Sequence, residues 1–173
     1  MNFASIIEND IVDSDDGVCV SLWFSGCDVH CPNCHNSMLW DPNSGTKISN
    51  DEIITKLESA LYSNGLERSL SVLGGEPLMP ANRADCAYIL KTLREKHPTL
   101  KIRLWTGHIY EDLLSEDDPN LRTIFSVVNT LIDGPFIEAK KDLSIKLRGS
   151  SNQRIIQLNQ FSQAASSSAE SLP

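Results

Sequence analysis

Three cysteines stand close together in the segment Gly26-Cys27-Asp28-Val29-His30-Cys31-Pro32-Asn33-Cys34-His35-Asn36. Cys27, Cys31 and Cys34 have a CxxxCxxC spacing, which puts three thiolates on one short loop. Thiolates bind zinc and iron-sulfur clusters, and a set of three leaves one coordination position open to another ligand. The loop therefore predicts an inorganic centre with room for a small molecule.

Three kinds of centre are compatible with this spacing. A structural zinc site needs a fourth ligand, which His30 or His35 could supply, but zinc sites usually pair two short-spaced motifs and the second motif is missing. A ferredoxin-like electron carrier needs four thiolates, whereas Cys19 and Cys86 fall in a predicted strand and a predicted helix. The third kind is a four-iron cluster that is held by three cysteines and has one open iron.

The elements that must position this loop alternate along the chain. Hydrophobic runs predict strands at 18–25, 70–73, 101–105 and 127–132, with a last strand or ordered extension at 154–158. The capping box of Ser49 and Glu52 predicts that a helix follows, and Asn64-Gly65 ends it. Further helices are predicted at about 81–96, where Cys86 is a core residue, and at 110–115. Alternating strands and helices predict an α/β fold with parallel strands.

Four polar or glycine-containing segments follow these predicted strands directly. They are the cysteine loop, Gly74-Gly75-Glu76-Pro77, Thr106-Gly107 and Asp133-Gly134. In a parallel sheet the carboxyl ends of the strands lie at one edge, which is where such sheets bind their ligands. We therefore expect these four segments to form one site.

Composition limits the remaining possibilities. The chain has 173 residues, which is enough for one domain, and its net charge of −8 with no run of basic residues argues against nucleic-acid binding. No secretory signal and no membrane span are evident, so we expect a cytoplasmic protein whose clustered cysteines serve metal chemistry. We expect one domain over 1–161 and a disordered, Ser- and Ala-rich tail over 162–173.

The CxxxCxxC loop after one strand and Gly-Gly-Glu-Pro after the next resemble the radical S-adenosylmethionine enzymes. Within them, several segments make the chain similar to the activating proteins of the anaerobic, class III ribonucleotide reductases, and the resemblance covers about 12–158. These segments are Phe24-Ser25-Gly26-Cys27, Cys34-His35-Asn36, Leu104-Trp105-Thr106-Gly107, Asp133-Gly134-Pro135-Phe136 and Arg148-Gly149-Ser150-Ser151-Asn152-Gln153.

The resemblance implies a fold, a reaction and a partner. The fold is a partial, open (β/α) barrel of mostly parallel strands. A 4Fe-4S cluster with one open iron reductively cleaves S-adenosyl-L-methionine, and the resulting radical takes hydrogen from a glycine of the anaerobic reductase. An electron donor such as flavodoxin supplies the electron. Activation of another glycyl-radical enzyme, such as pyruvate formate-lyase, and a non-enzymatic iron-sulfur or zinc module are the alternatives.

The resemblance also assigns residues. Cys27, Cys31 and Cys34 would bind the cluster. The methionine end of S-adenosylmethionine would meet Gly74, Gly75 and Glu76, and its remainder would lie against Asn33, Cys34 and His35. The superfamily usually has an apolar residue before the last cysteine, and this chain has Asn33 there.

Overall fold

The computed structural model describes residues 2–159, and these form an α/β fold with seven strands and four α-helices. In chain order the elements are β1 (Asn2–Asp10), β2 (Cys19–Phe24), β3 (Thr46–Lys47), α1 (Asn50–Leu61), β4 (Ser69–Gly74), α2 (Pro80–Lys96), β5 (Ile102–Trp105), α3 (Tyr110–Ser115), α4 (Pro119–Val127), β6 (Thr130–Asp133) and β7 (Arg154–Gln157). The predicted tail at 162–173 lies outside the described residues.

All seven strands belong to one mixed sheet with the order β3-β1-β2-β4-β5-β6-β7. The central strands β2, β4, β5 and β6 are parallel, whereas β1 and β7 run antiparallel to their central neighbours and β3 runs antiparallel to β1. The α/β class is therefore confirmed. The sheet is mixed, with β3 and β7 at its two ends, and the open barrel stays a prediction.

The main core lies between one face of the sheet and the helices. Alternate residues of the central strands, such as Leu22, Val72 and Leu104, are fully buried there and pack with residues of α1, α2 and α4. The opposite face carries Ser71 and Arg103, which are also buried. Polar residues of one sheet face thus remain available for hydrogen bonds with loops.

The segment between β1 and β2 covers the polar face near the amino ends of the parallel strands. Ser71 donates to the Asp13 carbonyl at 2.6 Å, and Arg103 forms an ion pair with Asp15 at 2.5 Å. The Ser21 hydroxyl donates to the Asp10 carboxylate at 2.8 Å. This end of the sheet is therefore closed by polar contacts, and the carboxyl edge is left to the loops that follow the strands.

The predicted strand at 127–132 is wrong at its start, because α4 extends through Val127 and β6 begins only at Thr130. The helix begins where the Asp118 side chain accepts a hydrogen bond from the Asn120 N–H at 2.7 Å, with Pro119 in the first turn. The sequence also did not predict β1. The helix after Ser49 is confirmed, since the Ser49 hydroxyl accepts the Glu52 N–H at 3.2 Å.

Among residues 2–159, none of the helices combines the length and the hydrophobicity that crossing a bilayer requires.

Candidate functional site

The cysteine loop begins directly after β2, and backbone hydrogen bonds fix both of its ends. The Gly26 N–H donates to the Leu39 carbonyl at 2.8 Å, and the Cys27 N–H donates to the Trp40 carbonyl at 3.1 Å. Inside the loop the Cys34 N–H donates to the Cys31 carbonyl at 3.1 Å. Backbone hydrogen bonds thus close the loop at its base, and the three cysteines lie between the two ends that these bonds join.

Two residues of the loop have left-handed backbone conformations, and each one directly precedes a cysteine. His30, before Cys31, has φ 47°, and Asn33, before Cys34, has φ 57°. Asparagine tolerates this region better than most residues, whereas β-branched residues avoid it. The local backbone therefore gives a physical reason for Asn33, the residue at which the chain departs from the superfamily pattern.

The three cysteines of the loop are free and partly exposed, whereas Cys19 and Cys86 are buried. Burial raises the pKa of the Cys27 thiol, and the N–H groups of His30 and Val29 act in the opposite direction. Burial also raises the pKa of the Cys31 thiol, which is opposed by the N–H of Phe136. Such N–H groups stabilise negative charge on sulfur, as thiolates in iron-sulfur sites require.

Within residues 2–159 no three His, Cys, Asp or Glu side chains lie close enough together to hold a single metal ion. The thiolates of a multi-iron cluster need not converge on one point, because each binds a different iron.

The segment Gly74-Gly75-Glu76-Pro77 packs directly against the base of the cysteine loop. The Gly75 N–H donates to the Phe24 carbonyl at 2.9 Å, and the Glu76 N–H donates to the Gly26 carbonyl at 2.7 Å. A Cβ on Gly75 would lie 2.2 Å from the Gly26 oxygen. Glycine is required at 75 because the two backbones are in contact, and a contact of Gly74 or Gly75 with S-adenosylmethionine stays a prediction.

Glu76 is buried and connects this segment to the turn after β5. Its Oε1 accepts the Leu78 N–H at 2.9 Å and the Thr106 hydroxyl at 2.8 Å, and its Oε2 accepts the Gly107 N–H at 2.7 Å. The pKa of Glu76 is raised, because burial outweighs the opposing effects of His108 and of the three donors. The carboxylate is therefore a structural acceptor in this geometry, and its contact with an ammonium group stays a prediction.

The turn after β5 also contacts the cysteine loop. A Cβ on Gly107 would lie 3.0 Å from the Val29 side chain, and the His108 Nε2 and Asp28 Oδ1 are 3.0 Å apart. The Gly134 N–H donates to the His108 carbonyl at 3.0 Å, which adds the turn after β6. The four predicted segments therefore meet at one edge of the sheet.

The segment 148–153 holds the turn after β6 in place. The Gln153 side chain accepts the Gly149 N–H at 2.8 Å and donates to the Gly134 carbonyl at 3.0 Å. Asn152 donates to the Pro135 carbonyl at 2.8 Å. Phe136, the next residue along this turn, is close enough to Cys31 for its N–H to lower the pKa of that thiol. The segment therefore helps to shape the site.

Asp133, the last residue of β6, is fully buried and has a structural role. It accepts the Tyr110 N–H at 2.9 Å and pairs with the guanidinium of Arg154 through Nε at 2.9 Å. It thereby joins β6, β7 and the first turn of α3. The sequence alone gave no sign of this partner, because Arg154 is 21 residues away.

Asn33 and His35 are exposed, so their predicted contact with S-adenosylmethionine remains sterically accessible. Trp40 belongs to the site as well, although the sequence did not indicate it. Its ring lies 4.7 Å from that of His30, and its shielded indole N–H has no acceptor among the described residues. Because the Trp40 backbone also closes the base of the cysteine loop at Cys27, an unpaired donor on this residue fits a bound group that carries acceptor atoms.

Comparison with known proteins agrees with this arrangement. A family model described as a 4Fe-4S single cluster domain matches residues 14–156. A protein of Escherichia coli K12 is 34% identical over 156 residues, which are 88% of this chain and 96% of that protein. One from Vibrio cholerae is 32% identical over 90% of this chain and 97% of its own length, and one from bacteriophage T4 is 31% identical over 90% and 93%. Each is named anaerobic ribonucleoside-triphosphate reductase-activating protein.

Proposed function

This chain belongs to the family of anaerobic ribonucleoside-triphosphate reductase-activating proteins and contains a 4Fe-4S single cluster domain, and from that premise we propose that it activates such a reductase by generating a glycyl radical. The observation that carries the proposal is the cysteine loop, whose three partly exposed thiols lie against the turns that follow β4, β5 and β6. We expect it to act in the cytoplasm.

Cys27, Cys31 and Cys34 would hold a 4Fe-4S cluster and leave one iron open. When both are bound, the cluster and S-adenosylmethionine supply the chemistry: one electron cleaves the sulfonium to methionine and a 5′-deoxyadenosyl radical, which takes a hydrogen atom from a glycine of the reductase. The residues fit such a group, because nearby backbone N–H groups oppose the rise that burial causes in the pKa of Cys27 and Cys31. The buried Trp40 indole N–H also has no acceptor among residues 2–159.

The other residues of the site position these ligands and exclude water. Gly75 lets the segment after β4 pack on the base of the cysteine loop, and buried Glu76 fixes that segment to Thr106 and Gly107. Asn33 and His35 remain exposed beside Cys34, where we propose that they contact S-adenosylmethionine. Electrons would come from a protein such as flavodoxin.

Anaerobic reconstitution with iron and sulfide, followed by dithionite and S-adenosylmethionine, tests the reaction. We expect methionine and 5′-deoxyadenosine from the parent protein and neither from Cys31→Ala. Cys86→Ala is the matched control, because Cys86 is a buried core residue of α2 and should leave the iron content unchanged. Equal product from Cys31→Ala and the parent would refute the proposal.

The partner needs a separate measurement. Purified reductase and purified pyruvate formate-lyase are each mixed with the reduced protein, and the glycyl radical is detected by electron paramagnetic resonance. We expect the signal on the reductase. A signal on the lyase alone would assign the chain to the alternative partner, and iron binding with no cleavage of S-adenosylmethionine would leave an iron-sulfur binding module.

A further inference from the structure

A positively charged loop lies beside the cysteine loop of this otherwise acidic chain. The segment 140–148 contains Lys140, Lys141, Lys146 and Arg148 but only one acidic residue, Asp142, whereas the whole chain has 23 acidic and 15 basic residues. The two ends of the segment are paired, because the Asp142 N–H donates to the Gly149 carbonyl at 3.1 Å. The four cations therefore belong to one compact projection, which we call the basic loop.

Most of this positive charge is not neutralised within the protein. Lys140 and Lys146 are exposed and form no ion pair with the described residues, and Lys141 approaches Glu138 only at 4.0 Å. The Arg148 guanidinium donates to the Gln153 carbonyl at 3.3 Å rather than to a carboxylate. Other cations near the sheet are paired, as Lys101 is with Asp16 at 3.0 Å.

A short chain of contacts leads from the basic loop and its neighbour Gly149 to one of the proposed cluster ligands, Cys31. The Trp105 indole donates to the Leu147 carbonyl at 2.7 Å, and the Phe136 ring lies 3.3 Å from the position of a Cβ on Gly149. Phe136 is in turn a neighbour of Cys31, because its N–H lowers the pKa of that thiol. A protein that binds to the basic loop would therefore lie close to Cys31, one of the proposed cluster ligands.

We propose that the basic loop is the docking surface for an acidic one-electron donor protein. This inference rests on the proposed function, in which each cleavage of S-adenosylmethionine consumes one electron that a donor outside this chain must supply. The two-electron-reduced flavin of the donor would lose one electron and become a semiquinone. The cluster would gain that electron, so the charge of the cluster would fall from 2+ to 1+. Exposed Leu143, which is 81% accessible, gives the charged surface an apolar centre.

Small interfaces steered by charge are typical of electron transfer, where complexes must form fast and dissociate fast. Charge reversal should therefore slow reduction at low salt and matter little at high salt. Lys140→Glu with Lys146→Glu is the test variant, since neither side chain has an ion pair to lose. Lys47→Glu with Lys56→Glu is the control, because it changes the net charge by the same amount. Lys47 is on β3 and Lys56 on α1, and β3 lies at the opposite end of the sheet from β7, the strand that follows the basic loop.

The probe is reduced flavodoxin, an acidic flavoprotein, mixed anaerobically with the reconstituted protein while cluster reduction is followed by absorbance. We expect the test variant to be reduced about tenfold or more slowly than the control at low salt, and the two to converge at high salt. Reduction by dithionite should be equal in both. Equal rates with flavodoxin at low salt would overturn the proposal.

Two further measurements separate the possible failures. An NMR titration with oxidised flavodoxin detects docking without any electron transfer, and it should show weaker binding for the test variant only. Glycyl-radical formation with dithionite as the reductant should be unaffected by charge reversal. If it falls while reduction by flavodoxin does not, the basic loop meets the reductase instead. If the parent is reduced but cleaves no S-adenosylmethionine, the proposed function fails and the docking result still stands.

Discussion

Replacing Gly75 with alanine should separate the cysteine loop from the segment after β4. The new Cβ would lie 2.2 Å from the Gly26 carbonyl oxygen and 2.8 Å from its carbon. Neither backbone can yield easily, because Gly26 is also bonded to Leu39 at 2.8 Å. The contact can be relieved only by breaking the 2.7 Å hydrogen bond from the Glu76 N–H to the Gly26 carbonyl.

The expected size of the effect follows from these contacts. A buried donor without an acceptor costs about 1–3 kcal/mol, and overpacking costs about 1–3 kcal/mol more. A loss of roughly 2–6 kcal/mol in a domain of this size lowers Tm by about 4–24 °C. The measurement is thermal unfolding of the metal-free protein by circular dichroism, followed by the iron and sulfide content after reconstitution, which should also fall.

Gly65→Ala is the matched control for Gly75→Ala. Gly65 has φ 68° but no neighbouring atom within 4 Å, so alanine there costs only the left-handed conformation, about 1–2 kcal/mol, and should leave cluster loading intact. Our reasoning is refuted if Gly75→Ala unfolds within about 2 °C of the parent and binds a full complement of iron, since a clash of this size must lower Tm by more.

Three other predictions concern single side chains. Asn33→Val should lower Tm by several degrees and Asn33→Gly should not, because φ is 57° there; the reverse order in a melting experiment would contradict this. Glu76→Gln should cost about 1–3 kcal/mol in urea unfolding, because an amide cannot accept from every donor around Glu76; an unchanged unfolding midpoint would show that those donors have other acceptors. Burial and the neighbouring Asp10 raise the pKa of Asp13 to about 7. The contribution of protonated Asp13 to the free energy of unfolding is therefore fully present below pH 3.8, its pKa in the unfolded chain. That contribution is lost as the pH rises through 7. Asp13→Asn, which cannot ionise, should raise Tm at pH 8 and leave it nearly unchanged at pH 4, and an equal shift at both values would argue against this pKa.

The site could be located from the sequence because the patterns that mark it involve residues close together along the chain. The spacing of Cys27, Cys31 and Cys34 can be seen without a fold, and the glycine-rich turns follow strands that are hydrophobic enough to recognise. The rule that parallel strands end at one edge then brings the turns together. The hydrogen bonds from Gly75 to Phe24, at the end of β2, and from Glu76 to Gly26, in the loop after it, confirm that step.

The elements that escaped prediction have weak local signals. β1 mixes polar with apolar residues in no clear alternation and is largely partly exposed, and it forms a strand by pairing with β2. α4 follows an acidic turn, and its buried residues continue into a hydrophobic run that equally suits a strand, so only the cap at Asp118 marks the helix. Contacts such as those between Glu76 and Thr106 join distant segments, and a single sequence carries no record of them.

Contacts with the rest of the protein hold much of the cysteine loop in place, and this bears on how a cluster would be acquired. Its base is bonded to Leu39 and Trp40, and its flank contacts Gly107 and Phe136. In zinc fingers the metal supplies most of the folding free energy, whereas here the core of the sheet and helices supplies it. Cluster binding would then need to order only the partly exposed residues around the three thiols, and binding to a preorganised site loses less conformational entropy. The metal-free protein should accordingly unfold cooperatively, and loss of the cluster should abolish the reaction without abolishing the fold.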